Sequence, residues 1–201
     1  MEKDNRTRLL ETAVELFSTA GYAAVSIRQI AEKAGVNSAM ISYYFGSKQK
    51  LYEAALSSQL HLLDNFLTPE LAALDPREVL RRYAHTMQEV HAAHPTLIHF
   101  ICREFSTPDE QSGFLFRKMA PRLYTALSDA LRRGVEQKLF RSDLQLDAAV
   151  LLLVGMVNFY YLSRRVHSRV LRSEDLLKSE AGYLRQALDV FLRGIERRPA
   201  S

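Results

Sequence analysis

The stretch from Val25 to Leu56, VSIRQIAEKAGVNSAMISYYFGSKQKLYEAAL, limits the folds open to this chain more than any other. Ser26 has Gln29 three residues on, the capping-box spacing in which a hydroxyl bonds a free helix N–H and the Gln side chain reaches back. A short helix follows through Ile27, Ile30, Ala31 and Ala34, leaving Arg28, Glu32 and Lys33 for solvent or a partner. Gly35 ends it, because glycine takes a left-handed φ without steric penalty. Asn37 or Ser38 can cap a second short helix ending near Phe45. Gly46 and Ser47 punctuate again, and Ser47 can cap a third helix starting at Lys48. Two short capped helices joined by a tight turn form a helix-turn-helix, whose second helix enters a DNA major groove.

The 3.6-residue period sorts the faces of that second helix. Asn37, Ile41 and Phe45 share one row, whose apolar members pack inward. Ser38 with Ser42, and Ala39 with Tyr43, form neighbouring rows that face outward. Alanine can touch a thymine methyl, serine can bond several bases, and tyrosine can reach a phosphate. Arg28 is the candidate for paired hydrogen bonds to guanine. Lys48 stands at a helix N-terminus, where unpaired N–H groups and the dipole attract phosphate. Each residue taken alone has a plainer reading: Tyr43 and Tyr44 as packing residues, Arg28 as a solvated charge. Their order and spacing together favour DNA contact.

This pattern resembles the TetR (tetracycline-repressor) family of bacterial transcriptional regulators. The resemblance covers roughly Leu9 to Leu56 and rests on LLETAVELFSTAGYAAVSI, RQIAEKAGV and ISYYFGSKQKLYEAAL. It implies that the positions of Tyr44 and Lys48 contact phosphates, while those of Arg28, Ser38 and Ala39 lie at base edges. Many members carry Tyr where this chain has Ser42, so Tyr43 is expected to take over part of that aromatic contact. The expected head is residues 1–50, and 51–201 form a ligand-binding and dimerisation domain reached through a linking helix at about 48–66.

Composition narrows the alternatives. With 201 residues, 47% hydrophobic, the chain can bury a core without a metal or disulfide. The net charge of +4 is compatible with nucleic acid but too small to argue for it, so the local cluster carries the case. One cysteine, Cys102, excludes an internal disulfide framework and suits a reducing cytoplasm. MEKDNRTRLL has no apolar signal core, so the expected location is cytoplasmic. The longest apolar run, Ala148 to Leu162, falls short of the ~18 residues of a membrane span and reads as an internal helix, apolar nearly all round.

In chain order, helix one covers about Asp4 to Ala20 through Leu9, Ala13, Leu16 and Phe17, with Arg6 and Arg8 near a DNA backbone or simply solvated. Thr68-Pro69 reads as a loop. Asp75 caps and Pro76 opens helix five, which runs to about His91. Pro95 opens helix six, ending near Phe105, and Ser106 to Gly113 reads as a loop. Pro121 breaks a helical stretch from Phe114 to Lys138. Asp147 caps the apolar helix and Ser173 the last, where Leu184, Leu188, Phe191, Leu192 and Ile195 make a stripe. The expectation is all-α: a three-helix head joined by a long helix to a C-terminal bundle, about nine helices in all.

The last two helices are more apolar than one small bundle requires, which predicts a homodimer paired through them, as the resemblance also implies, with a larger monomeric core as the alternative. Two-fold symmetry would set the recognition helices one DNA turn, ~34–36 Å, apart on a palindrome. Tyr83, Met87, Phe100, Arg103, Phe105, Met119, Tyr124, Met156, Asn158 and Phe159 are candidates to line an apolar pocket, each of which can equally be plain core. The resemblance implies a small-molecule effector there, and the aromatics favour a hydrophobic or aromatic one. His91 and His94, with His85 nearby, have spacing for a metal, yet a helix C-terminus favours histidine by itself. No cofactor is expected. No nucleophile elbow, phosphate loop, dinucleotide fingerprint or zinc-protease motif occurs, so an enzyme is not expected. A ligand-responsive DNA-binding repressor is the leading reading; a helical binding module that reads no DNA is the alternative.

Overall fold

The computed structural model describes the backbone of residues 4–106, 115–170 and 180–197, and their side chains except at 105–106, 115–116, 164–170 and 180–181. Among the described residues it is helical throughout, with one isolated antiparallel bridge between Phe140 and Glu196. The helices are α1 Asn5–Ala20, α2 Ile27–Ala34, α3 Ala39–Phe45, α4 Lys48–Phe66, α5 Pro76–Ala93, α6 Leu97–Ser106, α7 Ala120–Glu136, α8 Leu146–Val170 and α9 Glu180–Ile195. A 3₁₀ turn at Pro69–Ala73 replaces the expected Thr68-Pro69 loop, and a π-helical turn at Leu115–Met119 precedes α7. Pro121 then sits in the first turn of α7, where a missing N–H costs no intrahelical bond. Ser173 and residues 107–114 lie outside the described residues.

The chain divides into two compact units, 1–61 with 94–120, and 62–93 with 121–201. The cut falls inside α4, and it places α6 with the head rather than with the C-terminal remainder. In the first unit, Leu9, Ala13 and Phe17 of α1 and Ile30, Ala31 and Ala34 of α2 are buried. With them are Leu51, Tyr52, Ala55 and Leu56 of α4, and Leu97 and Phe100 of α6. These recur at i, i+3, i+4 spacing, so one stripe of each helix leaves water. Phe17, Tyr52 and Tyr22 meet edge to face at 5.1 and 5.2 Å. In the second unit, Leu80, Tyr83, Ala84, Met87 and Val90 of α5 are buried, as are Leu127 and Leu131 of α7, Val150, Leu153 and Val157 of α8, and Phe191 and Ile195 of α9.

Three expectations about helix starts and surfaces need correction. Asp147 lies in the first turn of α8 instead of capping it, because the helix already begins at Leu146 and the N–H of Ala149 bonds the Gln145 carbonyl. Pro95 stands two residues ahead of α6, whose first turn is closed by the Leu97 N–H on the His94 carbonyl. The apolar helix α8 is neither too short for a span nor buried all round. Counting uninterrupted apolar residues understates it: Leu146–Ser163 is an 18-residue window of mean hydropathy 1.6, only 33% of it buried within this chain. Leu151, Leu152, Phe159 and Leu162 are exposed along one side.

Candidate nucleic-acid interface

The predicted capping box is present at the start of α2. The Ser26 hydroxyl accepts the Gln29 N–H at 3.2 Å, and the Gln29 carboxamide oxygen accepts the Ser26 N–H at 2.8 Å. Gly35 ends α2 at φ 63°, and it is the backbone that requires glycine here, since the Arg8 side-chain end beside it can shift. A left-handed φ disfavours any side chain, and a Cβ would stand 2.7 Å from Nη2 of Arg8. Arg8 donates to the Ala34 carbonyl, one of the unsatisfied carbonyls at the end of α2. Its role is therefore to tie α1 to α2. Arg6 lies over the Phe45 ring at 5.3 Å, a cation–π contact from α1 to the end of α3.

Of the two residues offered as caps for α3, Asn37 does the capping: its Oδ1 accepts the Ala39 N–H at 2.9 Å. Ser38 makes no capping bond. Ile41 is buried at 1% exposure and holds α3 against the head, with Phe45 half-buried behind it. Ala39 and Ser42 are exposed, Ser38 is half-buried, and Tyr43 is 77% exposed. An aromatic ring so far in water gains little from burial, so packing does not explain Tyr43. Tyr44 is half-buried, its ring edge-on to Tyr43 at 5.0 Å and to Phe45 at 6.5 Å. Asn37 and Arg28 are exposed.

Beyond α3, the Ser47 hydroxyl accepts the Lys50 N–H at 3.1 Å, as its spacing predicts. Lys48 is the first residue of α4, its ammonium 4.2 Å from the centre of the Tyr22 ring. Neither α3 nor α4 carries an acidic residue in its first turn. The positive ends of both helix dipoles are therefore not offset by carboxylates there, and Lys48 adds charge at one of them. Outward small polar and aromatic groups on α3, flanked by Arg28 and Lys48, suit a groove lined by phosphates.

Two ties in the first unit had no local sequence signal. Arg103 of α6, offered above as a ligand contact, donates from Nε to the Ser18 carbonyl at 3.3 Å and from a terminal nitrogen to the Thr19 carbonyl. It thus caps the end of α1. Glu104, buried at 1% exposure, accepts the Tyr52 hydroxyl at 2.6 Å. A glutamate inside the apolar run LIHFICREF was the available hint, but its partner is 52 residues away in sequence.

The remaining ligand candidates divide between the units. Phe100 is buried and Met119 half-buried in the first. Tyr83 and Met87 are buried in the second, with Tyr124, Met156 and Asn158 half-buried there. Phe159 is 55% exposed on the outer side of α8, so it belongs to that surface and not to an interior pocket. The side chain of Phe105 lies outside the described residues. The second unit has an open cavity of about 890 Å³ against Leu67, Leu71, Pro121 and Ala126, and another of about 630 Å³ against Ala84, Leu184 and Leu188. Neither is walled by those candidates. Burial drives the Tyr83 phenol pKa well above its ordinary value.

The histidines have separate engagements. His85 pairs with Glu89 at 3.5 Å, His91 Nε2 lies 3.1 Å from Asn158 Oδ1, and His94 meets His61 edge-on at 5.3 Å. Among the described residues no three His, Cys, Asp or Glu side chains gather as a metal site requires. Burial raises the Cys102 thiol pKa, which disfavours the nucleophilic thiolate.

An all-helical chain with a capped helix-turn-helix and an outward-facing second helix defines the class of helix-turn-helix DNA-binding regulators. Known proteins agree. The family model of bacterial regulatory proteins, tetR family, matches residues 9–55, and that of the tetracyclin repressor-like C-terminal domain matches residues 76–190. The HTH-type transcriptional repressor NicS of Pseudomonas putida is 29% identical, over 98% of this chain and 95% of NicS. The HTH-type transcriptional regulator BetI of Yersinia pestis is 27% identical, over 94% of this chain and 96% of BetI. The structure of the ketosteroid transcriptional regulator KstR2 of Mycobacterium tuberculosis shares the fold, with a TM-score of 0.71 at 22% identity over 98% of each chain. The chain belongs to the TetR family of bacterial transcriptional regulators. It is a ligand-responsive DNA-binding regulator.

Proposed function

We propose that the protein is a homodimeric repressor that holds a palindromic operator through α3 of each head and lets go when a small hydrophobic or aromatic molecule binds its C-terminal unit. The observation that carries this reading is the outward face of α3: Ala39, Ser42 and the largely exposed Tyr43, backed by the buried Ile41. Arg28, Ser38 and Ala39 read base edges, Asn37 and Ser42 line the groove, and Tyr43, Tyr44 and Lys48 hold the backbone. The protein acts in the cytoplasm, where its operator is, and performs no catalysis.

The dimer reading draws on α8 and α9. Leu151, Phe159 and Leu162 recur at i, i+8, i+11 along α8, with Leu152 beside them, and Val190 on α9 is also exposed. A stripe of this kind in water is a surface that another apolar face covers. A second copy covers it with two-fold symmetry, which matches a palindrome. Release needs little energy. An effector that weakens operator binding a hundredfold supplies about 2.7 kcal/mol of differential binding, within ordinary coupling energies.

Footprinting on the DNA upstream of the protein's own gene tests the reading. The expected result is a two-fold protected site whose binding weakens with salt. Arg28→Ala should cost about 1–3 kcal/mol and relax preference at one base pair in each half-site. Equal binding to every duplex, unchanged by Arg28→Ala, would contradict the assignment.

A further inference from the structure

Tyr83 of α5 is fully buried in the second unit, yet its hydroxyl meets no hydrogen-bond partner among the described residues. A buried hydroxyl left unsatisfied lowers stability, and phenylalanine would fill the same space without that cost. Burial holds the phenol protonated, and the nearby Asn158 side chain opposes that push without reaching hydrogen-bond geometry. Tyr83 is therefore a donor in wait of an acceptor. Asn158 serves two other groups, its Nδ2 donating to the Val154 carbonyl at 2.9 Å and its Oδ1 facing His91 Nε2 at 3.1 Å, and the second lone pair of that oxygen does not reach the Tyr83 hydroxyl in hydrogen-bond geometry.

The surroundings restrict what that acceptor can belong to. The buried polar residues described in this unit are Thr86, His91, Ser128 and Ser163, with no Asp, Glu, Lys or Arg. An ionic group brought here would lose its water and find no fully buried opposite charge. A neutral molecule with one polar atom avoids that penalty. Met87, one turn along α5 and buried, is an unbranched side chain that can move aside for it.

We infer that the effector is an uncharged, largely apolar molecule bearing a carbonyl, and that its oxygen accepts a hydrogen bond from the Tyr83 hydroxyl. This rests on the reading that the C-terminal unit binds the effector, and it adds the chemical class of that molecule and the residue that selects it.

The test uses the full-length protein and a pool of neutral aryl ketones and amides. Alongside them go the hydrocarbons that lack the carbonyl and the matched aryl carboxylates, all followed by ligand-observed NMR. The wild type should retain carbonyl members about tenfold more tightly than their hydrocarbons, and Tyr83→Phe should abolish that margin while hydrocarbon binding stays the same. Tyr83→Phe without ligand should melt no lower than the wild type. Three results overturn the inference: preference for carboxylates or no retention of neutral members, a carbonyl margin that survives Tyr83→Phe, or a lower melting point for Tyr83→Phe, which would mean a satisfied hydroxyl. Operator release is scored separately. Carboxylates that release DNA would leave the regulator reading standing and remove this one; neutral carbonyl binders that never release DNA, from a protein that still holds its operator, would also remove this one alone, whereas a protein that holds no operator removes both.

Discussion

Lys48→Ala offers a test in which structure sets the magnitude. Lys48 opens α4 beside unsatisfied N–H groups, with no carboxylate in that first turn to offset it. If it neutralises one phosphate per head, its removal takes two phosphate contacts from a dimer. Each contact contributes a slope of about −0.9 to log affinity against log salt on duplex DNA, so the variant's slope should be about 1.8 units shallower. Between roughly 50 and 200 mM salt the wild type should then lose about twelvefold more affinity than the variant. Lys48→Arg should restore the slope. Fluorescence anisotropy of a labelled operator across a salt series reads this directly. The head should stay folded: Ser47 still caps α4, and the ammonium contact with the Tyr22 ring contributes about 0.5–1 kcal/mol. Parallel salt lines for wild type and variant, with the variant folded, would refute the phosphate role and with it the orientation assigned to the head.

Other consequences are equally concrete. Gly134→Ala should destabilise the second unit although alanine favours helix, because its Cβ would stand 2.0 Å from the Phe140 ring; overpacking of ~1–3 kcal/mol should lower the melting temperature by several degrees. Burial, and then the neighbouring His61, depress the His94 pKa below its ordinary 6.5. The unfolded chain therefore binds this proton first, so the contribution of His94 is full above that value and declines as pH falls through 6.5 towards the lower folded value. His94→Gln should flatten that part of a stability–pH profile measured by denaturant unfolding. Leu152→Glu with Phe159→Glu should give a folded monomer in analytical ultracentrifugation and weaken operator binding; a persistent dimer would place the interface elsewhere.

Local rules carried most of the head. Ser26 with Gln29, Asn37 before Ala39, and Ser47 before Lys50 each bond across two or three residues, so the capping geometry is written within a single turn. Gly35 was likewise readable as a stop, since its left-handed φ is a property of one residue. Periodicity then set Ile41 inward and Tyr43 outward, because a helix of known pitch fixes relative directions. The Asp147 cap was misplaced by two residues because several polar groups precede α8 and sequence cannot say which N–H is first left unpaired.

Contacts distant in sequence were decided by the tertiary structure. Arg8 on the Ala34 carbonyl, Arg103 on the end of α1 and Glu104 under the Tyr52 hydroxyl link residues far apart, and the two arginines had equally sound readings as a surface charge or a ligand contact. The pocket candidates illustrate the same limit. Tyr83 and Phe159 are both aromatic residues on apolar helices, yet one is sealed with its hydroxyl unsatisfied and the other stands in water. Hydrophobicity and period specify that a residue joins some apolar face. Which face meets a core, and which is left for a partner, depends on how whole helices pack, and no local stretch contains that information.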